Sequence, residues 1–252
     1  MVVFRFLMTP RWALASLFVL VLGLVFVNLG FWQLRRGEER ALDNTVMSAR
    51  LSDQAMTLDD LLSAIGNDPT SLEYRKVEVT GRYHPELEFL IRNQTSAQGV
   101  AGFHAITPLE YGVDRFVLVN RGWVPLEMDE PPVGATPPGG EVLVTGVIRM
   151  TQVRPPVGPV EPEGKLTIAS RVDLDRISQQ LPGQLAPVWI QSTVETLLLP
   201  VPVPVPAFDD AGPHVLYAIQ WFSFAVIGVV GYGFLVREQA LGRGRMKRTL
   251  SR

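Results

Sequence analysis

The 252-residue chain contains no cysteine. Disulfides, thiolate-bound zinc, iron–sulfur clusters and thiol nucleophiles are therefore excluded. Histidine is scarce, with three residues in all, which argues against a His-rich metal site. Charged residues make up only 19% and the net charge is −2, so there is no basic footprint for nucleic acid. The familiar enzyme signatures are missing as well: no GxSxG elbow, no HExxH, no Walker loop, no GxGxxG after a strand. Apolar residues reach 47%, too many for a disordered chain. The mean hydropathy of +0.18 is high for a soluble protein and low for one with many membrane spans.

What is present is unevenly spread. Residues 12–34 hold no charge for 23 positions. As a helix at ~1.5 Å per residue that run covers about 34 Å, enough for a bilayer core. It is too long for the apolar region of a cleaved leader, and no small-x-small site follows it. Residues 215–236 form a second uncharged run of 22 positions, too long for an ordinary core helix. Both predict transmembrane helices. The tails outside them, 1–11 and 237–252, carry eight basic residues and one acid, Glu238. The intervening segment 35–214 carries 15 basic and 24 acidic residues.

Two spans place both tails on one side. Arg237, Arg243, Arg245, Lys247, Arg248 and Arg252 follow the second run, and no basic residue lies in the 20 positions before it. The positive-inside rule then makes both tails cytoplasmic. The first run points the other way, with Arg5 and Arg11 before it and Arg35, Arg36 and Arg40 after it, but the six-to-none contrast is stronger. Segment 35–214 is expected to be extracytoplasmic, in a protein of the plasma (inner) membrane.

That segment reads as one folded domain. Thr57 with Asp60 resembles a capping box, followed by Leu58, Leu61, Leu62 and Ile65 on one helix face. From Lys76 to Tyr83 the pattern turns to period two, a half-buried strand. Further strands are expected at 87–92, 101–109, 115–124, 141–150, 165–172 and 187–192, with a short helix at 173–181. The phrases VEVTG (77–81) and VLVTG (142–146) echo each other, as a duplication or as two strands with a glycine bulge. Prolines cluster at 125–138, 155–162 and 200–206 and mark connections; the last cluster reads as a stiff polyproline spacer. The expected fold is an α+β membrane protein: two transmembrane helices flanking a mainly antiparallel, barrel-like domain with short helices.

The unusual residues gather at the two membrane boundaries. The first run ends in Trp32, Gln33, Arg35 and Arg36; the second opens on His214, Tyr217, Gln220 and Trp221. Trp32, Tyr217 and Trp221 suit an aromatic belt. Gln33 and Gln220 carry amides that need partners, either across the helices or on a ligand. His214 has the chemistry of a haem-iron ligand, and Arg35 or Arg36 that of a propionate partner. An interfacial loop histidine is the alternative. In the domain, Gly122 suits a bulge, Trp123 a buried indole and Arg121 a carboxylate partner.

Several phrases, in order, carry a resemblance that covers residues 12–236. They are Gly30-Phe31-Trp32-Gln33-Leu34-Arg35-Arg36, then Tyr74-Arg75-Lys76-Val77 with Gly81, then Gly102-Phe103-His104 with Pro108-Leu109. Val119-Asn120-Arg121-Gly122-Trp123-Val124-Pro125 and His214-Val215-Leu216-Tyr217-Ala218-Ile219-Gln220-Trp221-Phe222 complete the set. In this order the sequence resembles the Surf1/Shy1 family of cytochrome c oxidase assembly factors. The resemblance implies two membrane helices around an outer domain, and a role in maturing the core subunit of a haem-copper oxidase rather than catalysis. It implies contact with that subunit and with the haem a synthesis machinery, and transient handling of haem a. The family histidine at the head of the second helix falls on His214. The stretch Asp210-Ala211-Gly212-Pro213 departs from the family by lacking an asparagine near that histidine. A scaffold or accessory subunit that holds no haem is the alternative role, and a membrane-tethered extracytoplasmic enzyme a more distant one.

Overall fold

The structure, a computed structural model, describes residues 6–64, 68–134, 136–157, 160–194, 198–205, 208 and 212–249, with the backbone alone at 242–249. Ile65, Asp210, Ala211, Arg252 and the side chains of the basic tail from Arg243 onward lie outside the described residues. The chain divides into two compact units, residues 1–45 with 208–252, and residues 46–207.

The first unit holds the two long helices. Helix α1 runs Pro10–Ser52. Proline suits its first turn, where the missing N–H has no partner to lose. Apolar residues without a proline continue it to Leu34, but the helix does not stop there. The end of the uncharged run is a boundary of polarity only; the residues that follow, through Arg40 to Ser52, contain helix formers and no proline. The last helix spans His214–Thr249 and likewise outlasts its apolar run. The most apolar windows of the two reach mean hydropathies of 2.5 and 1.8, and only 6% of each is buried inside the structure. Neither is therefore the core helix of a folded domain; both are candidate membrane spans.

The second unit is a mixed sheet. Its strands are β1 Met56–Thr57, β2 Lys76–Tyr83, β3 Phe89–Thr95, β4 Ala101–Gly112, β5 Arg115–Pro125, β6 Glu141–Arg149, β7 Ile168–Ala169 and β8 Gln184–Ser192. Short helices α2 Leu58–Ala64 and α3 Leu174–Ser178 accompany them, so that the His214 helix is α4. The order is β1-β2-β6-β8-β5-β4-β3-β7, and a further β2–β4 pairing at Arg82–Glu110 and Tyr83–Leu109 links β2, β6, β8, β5 and β4 in a cycle. Antiparallel pairs dominate, but β1–β2, β3–β7 and β5–β8 are parallel.

The echoing phrases are partners. Val77 pairs with Gly146 and Gly81 with Val142 in one antiparallel ladder. Each glycine lets a third strand pass close over it. A Cβ on Gly146 would lie 2.5 Å from the Gln191 carbonyl oxygen, and one on Gly81 would strike the Glu110 carbonyl. Close approach of backbones explains the repeat without a duplication.

The alternation of β2 is strict, with Val77, Val79 and Gly81 buried. Together with Leu109, Val117, Val119, Val144, Ile148 and Ile190 its valines fill one core cluster, capped by Leu58 and Leu61 of α2. The Thr57 cap holds that helix: Asp60 N donates to Thr57 Oγ1 at 3.2 Å, and the hydroxyl donates back to Asp60 Oδ2 at 2.6 Å. A second cluster packs Phe89, Ile91, Ile106, Leu118 and Trp189 against Leu174 and Ile177 of α3. β5 lies between β4 and β8 with Phe116–Asn120 buried without a break, as expected of a strand covered on both faces.

The last proline cluster departs from the expectation. It is no free spacer. Val201 exchanges both backbone hydrogen bonds with Trp123, at 2.6 and 2.8 Å, and Gln191 Nε2 donates to the carbonyls of Val203 (3.0 Å) and Pro204 (3.2 Å). The valines between the prolines keep their N–H groups, and one of them is enough to pin the segment as a strap along β5.

Candidate functional site

Helices α1 and α4 meet along a seven-residue repeat. Gly23, Gly30 and Gly37 fall on one side of α1, with Phe26 and Gln33 between them at alternating steps of three and four and Ser16 seven residues before Gly23; α4 comes close at Gly30 and Gly37, while a Cβ on Gly23 would meet nothing within 4 Å. Phe26 stacks on Trp221, with ring centroids 5.7 Å apart. A Cβ on Gly30 would sit 2.5 Å from the Phe222 ring, and Phe31 meets the same ring edge-on at 5.4 Å. At the far end Ser16 Oγ and Tyr232 OH are 2.5 Å apart.

At the near end lies the contact between the two sequence-predicted polar residues. His214 Nδ1 and Gln33 Oε1 are 3.0 Å apart. An amide oxygen only accepts, so in this contact the imidazole donates through Nδ1. The backbone side of the imidazole rests on Gly37, where a Cβ would come 3.2 Å from His214 Cβ. Both polar side chains are half-buried.

The structure thus joins His214 to Gln33 and gathers Trp221 into the helix contact. Tyr217 and Trp32 are about half exposed, at 48% and 47%. Gln220 is exposed as well. Arg36 pairs with Glu39 at 3.2 Å in an exposed i,i+3 bridge, and Arg35 is exposed beside it. The glycine repeat is the part sequence reasoning missed, although its seven-residue spacing was in plain view. Gly30→Leu should drive the helices apart at Phe222 and separate Gln33 from His214. The measurement is oxidative cross-linking of the Gln33→Cys/His214→Cys protein, otherwise free of cysteine, with yield expected to fall several-fold. Unchanged yield would show that the helices do not pack through Gly30.

Two polar networks lie in the sheet unit. Glu88 is fully buried and accepts from Thr107 Oγ1 (2.5 Å), Arg121 Nη1 (2.9 Å) and Val133 N (2.7 Å). Arg121 therefore has the carboxylate partner its sequence context suggested. Beside it Asn120 Oδ1 accepts from Gly122 N at 2.9 Å, and Asn120 Nδ2 faces His104 Nδ1 at 3.3 Å. The Trp123 indole is half-buried over Gly102.

The second network clamps His84 between Glu86 (2.7 Å) and Glu110 (3.0 Å). Burial alone lowers its pKa, but the hydrogen bonds and charges of the two carboxylates outweigh it and hold the imidazole above its ordinary value. Stability from this clamp is complete below pH ~6.5, the unfolded value, and is lost as pH rises through the higher folded value. His104 acts oppositely. Burial lowers it to about 4, so it opposes folding as pH falls from ~6.5 toward that value. The melting temperature should therefore drop between pH 6.5 and 8, and His84→Gln should abolish that part of the drop. An unaltered slope in the variant would remove His84 from the account.

Two candidate membrane helices bracketing a mixed-sheet domain, joined by a histidine–glutamine contact at one end of the helix pair, define a two-helix, membrane-type protein with a single large domain between its spans. A family model described as the SURF1 family matches residues 20–226, and the chain belongs to that family. It is 27% identical over 245 residues to an uncharacterized SURF1-like protein of Mycobacterium tuberculosis, covering 96% of this chain and 89% of that one. A SURF1-like protein of Rickettsia felis is 27% identical over 223 residues, 86% of this chain and 94% of the relative. One from Caenorhabditis briggsae is 29% identical over 238 residues, 86% and 74% of the two chains.

Proposed function

We propose that this protein is a membrane-bound assembly factor for a haem-copper oxidase, acting by binding rather than catalysis. In this reading the spans cross the plasma membrane, both tails are cytoplasmic and the sheet domain, its cycle of five strands barrel-like, lies outside. The six basic residues after the second run, against none in the 20 positions before it, support that orientation. Its partners are the oxidase core subunit, the bilayer and the haem a synthesis machinery.

The observation that carries the reading toward haem a is the His214–Gln33 contact. An imidazole oriented through Nδ1–H would hold the iron of a haem through Nε2. When bound, haem a supplies an iron that accepts one more nitrogen donor. Gln33 fixes the tautomer and the ring direction. Arg35, exposed at the helix boundary, suits a propionate, while Arg36 is engaged with Glu39. Trp32, Tyr217, Gln220 and Trp221 complete the surroundings of the boundary.

The experiment is the absorption spectrum of the full chain purified from haem-a-producing cells. Wild type is expected to show a Soret band, His214→Ala to lose it and Gln33→Leu to weaken it. A protein with no Soret band that still co-purifies with the oxidase core subunit would favour the haem-free scaffold.

A further inference from the structure

The three glycines of the α1 repeat are not alike. Gly30 and Gly37 let α4 approach, whereas a Cβ on Gly23 would meet nothing within 4 Å. Helix packing gives no reason for a glycine there, and glycine weakens a helix interior. What Gly23 keeps is space. A cavity of about 500 Å³ opens between α1 and α4 at this level, lined by Leu20, Gly23, Leu24 and Val27 of α1 and by Val226 and Val230 of α4. The helices touch beyond both of its ends. Phe31 and Phe222 meet toward His214 at 5.4 Å, and Ser16 Oγ and Tyr232 OH lie 2.5 Å apart at the other end.

Shape and chemistry select the occupant. Ser16 is the one polar residue of the lining. Its hydroxyl donates to Trp12 O at 2.9 Å and so accepts from Tyr232 OH, which leaves no polar group in the slot to be matched. From Ser16 to Val27 the slot runs about 16 Å along α1 at ~1.5 Å per residue, so its volume makes it about 6 Å across, against ~10–12 Å for a helix. That admits one hydrocarbon chain and not another span. Val226 and Val230 carry the lining along α4, and seven residues past Val230, two turns on, the same stripe reaches Arg237. Arg237 is exposed, and no carboxylate pairs with it among the described residues. Glu238 falls about 100° further round the helix. Val226 and Arg237 are ~16 Å apart along α4, the depth of one leaflet of a ~30 Å hydrocarbon core.

We propose that the slot at Gly23 holds one acyl chain of an anionic phospholipid whose phosphate rests on Arg237. The width and length of the slot set the chain. The guanidinium sets the headgroup, because its forked N–H donors match a phosphate and its uncompensated charge favours a net anion over a zwitterion. A lipid seated here supplies the contacts that the two helices do not make with each other at Gly23. The inference rests on the reading of both helices as membrane spans. It depends neither on haem nor on the side of the membrane to which the tails belong.

The test places the full chain in nanodiscs of equal parts phosphatidylglycerol and phosphatidylcholine, and native mass spectrometry counts the lipids retained on release. One retained phosphatidylglycerol is expected, in preference to phosphatidylcholine. Gly23→Phe fills the slot and should cut retention at least tenfold. The Gln33→Cys/His214→Cys cross-link yield should hold in that variant, because the close contact at Gly30 is untouched. Arg237→Gln leaves the slot open, so a lipid is still retained, but the preference for phosphatidylglycerol should fall about fivefold, the effect of one arginine at an anionic surface. Equal retention of the two lipids by wild type overturns the proposal, as does retention unaltered by Gly23→Phe or a preference unaltered by Arg237→Gln. A dimer of this chain that Gly23→Phe converts to monomer would assign the slot to a second copy and overturn it. A chain that never enters the discs overturns the membrane reading and this proposal with it; one that enters and retains no lipid overturns the proposal alone.

Discussion

Arg121→Ala is expected to destabilise the sheet domain by about 3–5 kcal/mol, the range for removing one partner of a buried ion pair. The magnitude follows from what stays behind. Glu88 has no exposed side-chain surface, so it cannot turn to water when the guanidinium is lost. Its other two donors, Thr107 Oγ1 and Val133 N, are neutral and leave a buried anion uncompensated. Glu88→Gln keeps one acceptor oxygen and should cost less, although it removes the charge that faces Arg121. The double variant should fall short of the sum of the singles, because each single already removes the Arg121–Glu88 attraction that the double loses once. Chemical denaturation of the full chain in detergent, followed by tryptophan fluorescence, reads all four proteins. A loss below 1 kcal/mol for Arg121→Ala would mean that water reaches the pair.

The second large effect belongs to Gly122. Its φ of +137° lies where residues with a Cβ are strained, and a Cβ there would sit 2.5 Å from the Val201 carbonyl carbon. Strain of about 1–3 kcal/mol adds to the loss of the two Trp123–Val201 hydrogen bonds, at ~0.5–1.5 kcal/mol each. Gly122→Ala should therefore cost about 3 kcal/mol and free the strap from β5. Hydrogen exchange is the direct check: the Val201 and Trp123 amides should lose protection while Val188 and Ile190 in β8 keep theirs. Gly139→Ala, where a Cβ meets open space, is the neutral control.

Local pattern was legible and long-range pairing was not. Lys76–Tyr83 begins and ends where strict alternation says it should, because one face of β2 meets the core and the other does not. The expected strand 165–172 shrinks to Ile168–Ala169 and 87–92 shifts to Phe89–Thr95, displaced by a tight turn over Pro85–Leu87. Nothing local distinguishes the parallel pairs: β5 meets β8 across an excursion that carries β6 and α3. At the candidate site, Gln33 and His214 stood out as polar residues beside apolar runs. Their contact joins positions 181 apart, which no spacing rule reaches. Arg121 called for a carboxylate, but the choice of Glu88 over other acids depends on β4 pairing with both β3 and β5.

The Glu88 cluster also constrains how the sequence can drift. Its three donors come from β4, β5 and the connection that follows β5, and one of them is a backbone N–H that no substitution alters. A single change at Arg121 leaves the buried Glu88 anion without its cation, whereas a paired change does not. Across related sequences the two positions should therefore covary as an acid–base couple or give way together to uncharged residues, with a hydroxyl at position 107 retained only where the acid is kept.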